Sequence, residues 1–254
     1  MSLSPTLLKE FISCPRIFLF RKVHHLSLFP PPESILNVLA QERVDNFTSG
    51  FFSSLKNQWD EITLTRTRSD IIYLLNTNFF SWLDAYTRNE EKAYRELDEK
   101  VFTLLTWLVQ HLWTKFTASN RPYFLPIMVN QFIDAPNLNL HGRPSAVFLH
   151  PDQTCLILIQ TFREEIQHTR DLFILQACIY SRILATMGIK SKNFLFVNYW
   201  SMTLTFRNFT PTDFEELDIF LENFESSINE QNFDPPNSPP CELCEFKLIC
   251  LNQE

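Results

Sequence analysis

Residues 146–160 read Ala146-Val147-Phe148-Leu149-His150-Pro151-Asp152-Gln153-Thr154-Cys155-Leu156-Ile157-Leu158-Ile159-Gln160. Two apolar runs, Ala146 to Leu149 and Cys155 to Ile159, flank the turn residues His150-Pro151-Asp152-Gln153, which predicts a β-hairpin. Asp171 to Met187 is long and apolar, and Gly188 stands in a good C-cap position, so a helix is expected. Asn193 to Tyr199 then reads as a buried strand, and Met202 to Phe206 as another. This order of elements fits an α/β core.

Working outward, Phe124 to Val129 and Leu138 to Leu140 look like further strands. Thr210 or Thr212 can cap a helix from about Asp213 to Ile228, whose early acids suit the helix dipole. Its Phe214, Phe220 and Phe224 are expected to pack against the sheet. At the other end, Ser4-Pro5 followed by Leu7, Leu8, Phe11 and Ile12 reads as a capped amphipathic helix, ended or bent at Cys14-Pro15. Ile17 to Arg21 continues towards a stop at Pro30-Pro31-Pro32. From Glu33 to about His111 apolar residues recur at helical spacing, which predicts a helical elaboration over about 33–120. Phe233 to Pro240 leads to the cysteine-rich segment 241–250. With no internal repeat and no convincing linker, one domain spanning 1–254 is expected.

The 254 residues are 45% hydrophobic and 20% charged, as in globular chains. There are 25 Phe and only 3 Gly; Gly50, Gly142 and Gly188 stand apart, so no GxGxxG or Walker loop exists. The net charge of −7 excludes a generally basic surface. A local basic face is still allowed, because Lys9, Arg16, Arg21 and Lys22 face only Glu10 within residues 1–30. His24 and His25 beside Arg21 and Lys22 make a small basic patch, read either as a phosphate contact or as a solvated connection. No run of about 18 apolar residues occurs, and Lys9, Glu10 and Arg16 break up the opening segment. No membrane partner and no secretory signal are therefore expected, and a cytoplasmic location is.

In a reducing compartment, clustered cysteines are more often metal ligands than disulfides. Cys241, Cys244 and Cys250 form C-x2-C-x5-C, and Cys14 offers a fourth sulfur from the opposite end of the chain. Such a set suits zinc or an iron–sulfur cluster, and spacing does not choose between them. The plain alternative is four unrelated thiols. Cys155 and Cys178, in a strand pattern and an apolar helix, read as small core residues.

Three separated segments carry a family resemblance. Leu3-Ser4-Pro5 through Cys14-Pro15-Arg16 to Phe18-Leu19-Phe20 resembles the opening of RecB-like and Cas4-like nucleases of the PD-(D/E)XK superfamily. Gln176-Ala177-Cys178-Ile179-Tyr180 is similar to their QxxxY helix motif, and Cys14 with Cys241, Cys244 and Cys250 resembles their four-cysteine [4Fe–4S] arrangement. The resemblance implies a restriction-endonuclease-like core, with a central mixed sheet flanked by helices and an active site where two strands diverge. It implies a [4Fe–4S] cluster on those cysteines, with structural zinc as the alternative.

The catalytic positions depart from the family pattern. Ser145 stands where the first Asp belongs, Gln160 where the carboxylate of the (Asp/Glu)-x-Lys triplet belongs, and Phe162 where its Lys belongs. Gln41 stands in for the early-helix His. Neutral side chains cannot supply the anionic oxygen shell that a hard divalent ion needs. Glu164 and Glu165, with His168 just beyond and Asp134 before the hairpin, are the candidate substitutes. The expectation is a catalytically inactive nuclease-fold accessory that binds DNA, preferentially single-stranded or end-containing, in a repair setting. One alternative is a Mg²⁺- or Mn²⁺-dependent DNA exonuclease with a rearranged site; another is a module that binds a protein partner and no nucleic acid. Gln176 and Tyr180 share one helix face, and with Arg143 and Arg163 are assigned to the substrate side. Their bland alternative is core packing for the pair and surface decoration for the arginines.

Overall fold

The computed structural model describes residues 2–26, 32–57, 77, 99, 103, 104, 106, 125–149, 153–161, 169–234, 241, 244 and 246–251. Among these residues the α-helices are, in chain order, Pro5–Ser13 (α1), Pro15–Phe18 (α2), Pro32–Asn57 (α3), Thr169–Thr186 (α4), Pro211–Glu230 (α5) and Lys247–Leu251 (α6), with a π-helical turn Leu19–Val23 after α2. The strands are Leu125–Val129 (β1), Ile133–Ala135 (β2), Leu140–Gly142 (β3), Ala146–Leu149 (β4), Cys155–Thr161 (β5), Ser191–Asn198 (β6) and Thr203–Asn208 (β7). Beyond Asn57, most of the expected helical elaboration lies outside the described residues, as do Phe162, Arg163, Glu164, Glu165 and His168.

The predicted hairpin is the centre of the fold. β4 pairs antiparallel with β5, from Ala146 opposite Leu158 to Leu149 opposite Cys155. β5 continues parallel to β6, β6 antiparallel to β7, and β1 closes the other side against β4. The result is a mixed five-stranded sheet in the order β1-β4-β5-β6-β7, flanked by helices. The parallel pair requires a crossover, and α4 supplies it.

The two-residue period of a strand decides what each sheet face sees. In β5, Cys155, Ile157 and Ile159 join the core cluster that includes Phe173, Ala177 and Tyr180 of α4. Leu156, Leu158 and Gln160 alternate onto the other face, where α3 packs. Phe173 stacks on Phe196 of β6 at 4.0 Å on the first face. Phe52 of α3 meets Phe148 of β4 edge-on at 5.1 Å on the second. Each such fully buried apolar side chain stabilises by about 1.5–3 kcal/mol. The same parity places Gln160 and the residues after β6 beneath α3.

Several boundaries moved. The expected strand at Leu138 to Leu140 is instead a 3-10 turn, Pro136–Leu138, followed by β3, and Asn139 takes a left-handed conformation between them. β3 pairs with β2 in a separate two-stranded ribbon, and Leu3 adds a parallel bridge to Leu140. Thr210, and not Thr212, caps α5, in a reciprocal capping box with Asp213. Phe220 and Phe224 pack mainly on the N-terminal helices: Phe224 sits 4.9 Å from Phe11 and 5.3 Å from Phe18. Gly188, at φ +78°, closes α4 in a conformation that strains other residues. Among the described residues no helix is long and apolar enough to cross a membrane.

Candidate functional site

At the carboxyl end of β5, Gln160 is held from two sides. Its Nε2 donates to Asp45 Oδ1 at 2.6 Å, and its Oε1 accepts from the Tyr199 hydroxyl at 3.2 Å. Asp45 Oδ1 also accepts from Gln41 Nε2 at 3.0 Å. Tyr199 approaches Thr48 Oγ1 at 3.3 Å, while Thr48 donates to the Val44 carbonyl at 2.6 Å. Gln41, Asp45 and Thr48 are spaced to share one face of α3. Tyr199 is fixed beside them because its backbone N–H donates to the Thr161 carbonyl at 2.9 Å.

Proton counting orients this network. An ionised carboxylate only accepts, so the Gln160 amide must turn its NH₂ to Asp45 and its oxygen to Tyr199. Burial pushes the Asp45 carboxyl above the usual carboxylate range; Gln160 and Gln41 pull it back in part, and Glu42 pushes it further up. Tyr199 is fully buried, and desolvation drives its phenol well above its ordinary value. Asp45, Thr48 and Tyr199 were not singled out from the sequence. The signal was present in the 41/45/48 spacing on α3, but a single acid in a polar helical stretch reads as a solvated position.

The sequence-expected pair Gln176 and Tyr180 does meet. Gln176 Nε2 donates to the Tyr180 hydroxyl at 3.3 Å, and that hydroxyl donates to the Arg143 carbonyl at 2.9 Å. Burial raises the Tyr180 phenol to about 12, and Asp45 is close enough for its charge to add to the rise. The pair therefore braces the loop from Gly142 to Ser145 against α4, beside the Asp45–Gln160 network. Gly142 is required at this contact: a Cβ there would lie 2.7 Å from Tyr180 Cε1 and 3.0 Å from Pro5 Cδ. Ser145, half-buried, precedes β4 and its carbonyl accepts from Asn130 N at 3.1 Å. The Arg143 side chain is exposed and lies over the Phe132 ring, 5.8 Å from its centroid.

The cysteine expectation needs correction. The tail docks on the N-terminal segment: Phe246 packs on Phe20 at 5.1 Å, and Arg16 Nη1 donates to Cys250 Sγ at 3.3 Å. Cys14, Cys241, Cys244 and Cys250 are free thiols that sense one another electrostatically. Even so, among the described residues no group of three or more His, Cys, Asp or Glu side chains is arranged to hold a metal ion. Burial raises the Cys14 and Cys244 thiols, and the neighbouring cysteines add to the rise. The residues present thus do not fit the [4Fe–4S] cluster or its zinc alternative. The assignment to the cluster-bearing RecB-like and Cas4-like branch falls with them, as does the cluster-stabilised repair accessory. Nor is there a described acidic group for Mg²⁺ or Mn²⁺: Asp45 Oδ1 is already committed to two amides. Cys155 and Cys178 are buried in the core.

No protein-family model matches the chain, and no curated protein does. Among solved structures, a Eubacterium rectale protein described as a "putative exonuclease" is similar in fold. The TM-score is 0.53 at 11% identity, over 98% of this chain and 87% of the other. At that identity the similarity speaks for fold alone.

Proposed function

We propose that the chain is a nuclease-like core, of the PD-(D/E)XK arrangement, that engages a nucleic-acid strand at the carboxyl ends of β5 and β6. The observation that carries this reading is the placement of Gln160. It lies at the end of the central strand, where the family pattern calls for a metal-binding carboxylate, and its amide is spent on Asp45 and Tyr199. The carboxyl ends of parallel strands are where open α/β sheets place their ligands. Fold similarity to the Eubacterium rectale protein supports the same class.

In this reading the site binds and positions a strand; it does not hydrolyse one. The amides, the phenol and the single acid here are committed to one another, and they do not provide the paired anionic oxygens that hold a hard divalent ion and activate water. Phosphate contact must be local, because the chain is acidic overall at −7, and Arg143 is the described cation on the adjoining loop. The six cysteines, none of them in a disulfide, suit a reducing, cytoplasmic setting.

Fluorescence anisotropy of labelled single-stranded and duplex DNA, across a salt series, tests the proposal. Binding that weakens linearly in log–log form with salt is expected, with no cleavage when Mg²⁺ or Mn²⁺ is added. Absence of binding at low salt would reject the nucleic-acid reading and favour a protein-interaction module. Metal-dependent cleavage would reject the binding-only reading.

A further inference from the structure

The outer face of the β2–β3 ribbon presents three planar side chains. Phe132 is 52% exposed, although it immediately precedes the buried Ile133. The His141 ring centroid is 5.7 Å from that of Phe132, and the Arg143 guanidinium lies 5.8 Å from the same centroid. Asp134 is the acid of this face, directly opposite His141 in the ribbon register. A single exposed Phe is ordinary on a protein surface. An aromatic ring flanked by an imidazole and a guanidinium has the make-up of a base-stacking platform with its own phosphate contact.

The platform is held in place. The Leu3 backbone N–H donates to Asn139 O at 2.7 Å, and His141 N–H donates to Leu3 O at 3.0 Å. His141 Nδ1 lies 2.8 Å from Ser2 Oγ. Tyr180 fixes the Arg143 carbonyl, and Gly142 packs tightly against Tyr180 and Pro5. A stacking ring presented by such a pinned ribbon loses little freedom on binding. The same loop runs from Arg143 into β4, so the platform adjoins the sheet-end site.

We infer that Phe132, with His141 and Arg143, seats an unpaired base of a single-stranded nucleic acid while Arg143 holds an adjacent phosphate. This inference rests on the nucleic-acid reading above and names its substrate form. Duplex DNA is disfavoured because its bases are already stacked and present no free face.

The test is anisotropy of fluorescein-labelled dT12 and of a 12-base-pair duplex with the wild type, Phe132→Ala, Phe132→Tyr and Arg143→Gln. Thermal melting checks that each variant folds. Phe132→Ala is expected to weaken dT12 binding about 5- to 100-fold. Phe132→Tyr should stay within about twofold, and the duplex should be little affected. Arg143→Gln should lower the salt slope for dT12 by about 0.7, the value for one single-strand phosphate contact. If the wild type binds dT12 and Phe132→Ala binds it equally well, the platform is overturned while the nucleic-acid reading stands. If the wild type binds neither probe at low salt, both fall.

Discussion

Gln160 on β5 donates from Nε2 to Asp45 Oδ1 on α3 at 2.6 Å, tying the central strand to the helix that covers it. The bond joins residues 115 positions apart, and the Gln160 oxygen is taken by Tyr199. Replacing Gln160 with Leu should leave Asp45 with one fewer donor and the buried Tyr199 hydroxyl without this acceptor. A loss of about 1–3 kcal/mol is expected for such orphaned groups, read as a lower urea midpoint. Gln160→Glu should be worse at neutral pH, because two carboxylates would then face each other, and should recover on acidification. Unchanged midpoints in both variants would remove the network's structural role.

Asp45 should also mark the pH dependence of stability. Its folded-state pKa is raised, with burial as the largest cause. Between the unfolded and folded values the native state binds more protons than the unfolded chain. Its stabilising contribution is therefore full below the usual carboxylate range and is lost as pH rises through the folded value. Asp45→Asn removes this dependence, while Asn Oδ1 still accepts from both amides. Melting temperatures measured from acid to neutral pH should show the variant gaining on the wild type as pH rises, then levelling off. A difference that shrinks with pH would show that the shift has the opposite sign.

Gly142→Ala should destabilise by about 1–3 kcal/mol, the range for overpacking a filled core. The new methyl meets the Tyr180 ring and the Pro5 ring, two rigid neighbours, so relaxation must move backbone. Gly50, where a Cβ would meet nothing within 4 Å, gives the control: Gly50→Ala should be neutral or stabilising on α3. Equal midpoints for the two variants would contradict the close approach.

Thiol reactivity should separate the cysteines by environment. Cys178 is buried and its thiol is pushed up to about 12, mainly by desolvation. Cys155 is also buried. Both should resist alkylation in the native protein and react on unfolding, whereas half-buried Cys241 should react early. Peptide mapping after timed alkylation checks the order, and rapid native labelling of Cys178 would refute it.

Much of the fold is legible in local chemistry. The pairing of β4 with β5 announces itself by two apolar runs on either side of the Pro151-Asp152 dipeptide, and α4 by a long apolar stretch ending at Gly188. β2 is hidden because three residues, Ile133 to Ala135, are too few to display a period. Gln160 is legible as a departure from a family pattern; its partners are not. Asp45 and Tyr199 are remote from it in sequence, and only packing of α3 on the sheet brings Asp45 to it. The cysteine spacing misled for a related reason. Spacing brings thiols into one neighbourhood, whereas ligation also demands that they face a common point.

Photo-crosslinking of an iododeoxyuridine-substituted single strand, followed by peptide sequencing, tests the sheet-end binding account most directly. Crosslinks are expected within residues 131–149 and at the start of α4, and those at the ribbon should weaken in Phe132→Ala. Crosslinks confined to the β7 edge or to α5, with none at the ribbon or the ends of β5 and β6, would contradict it.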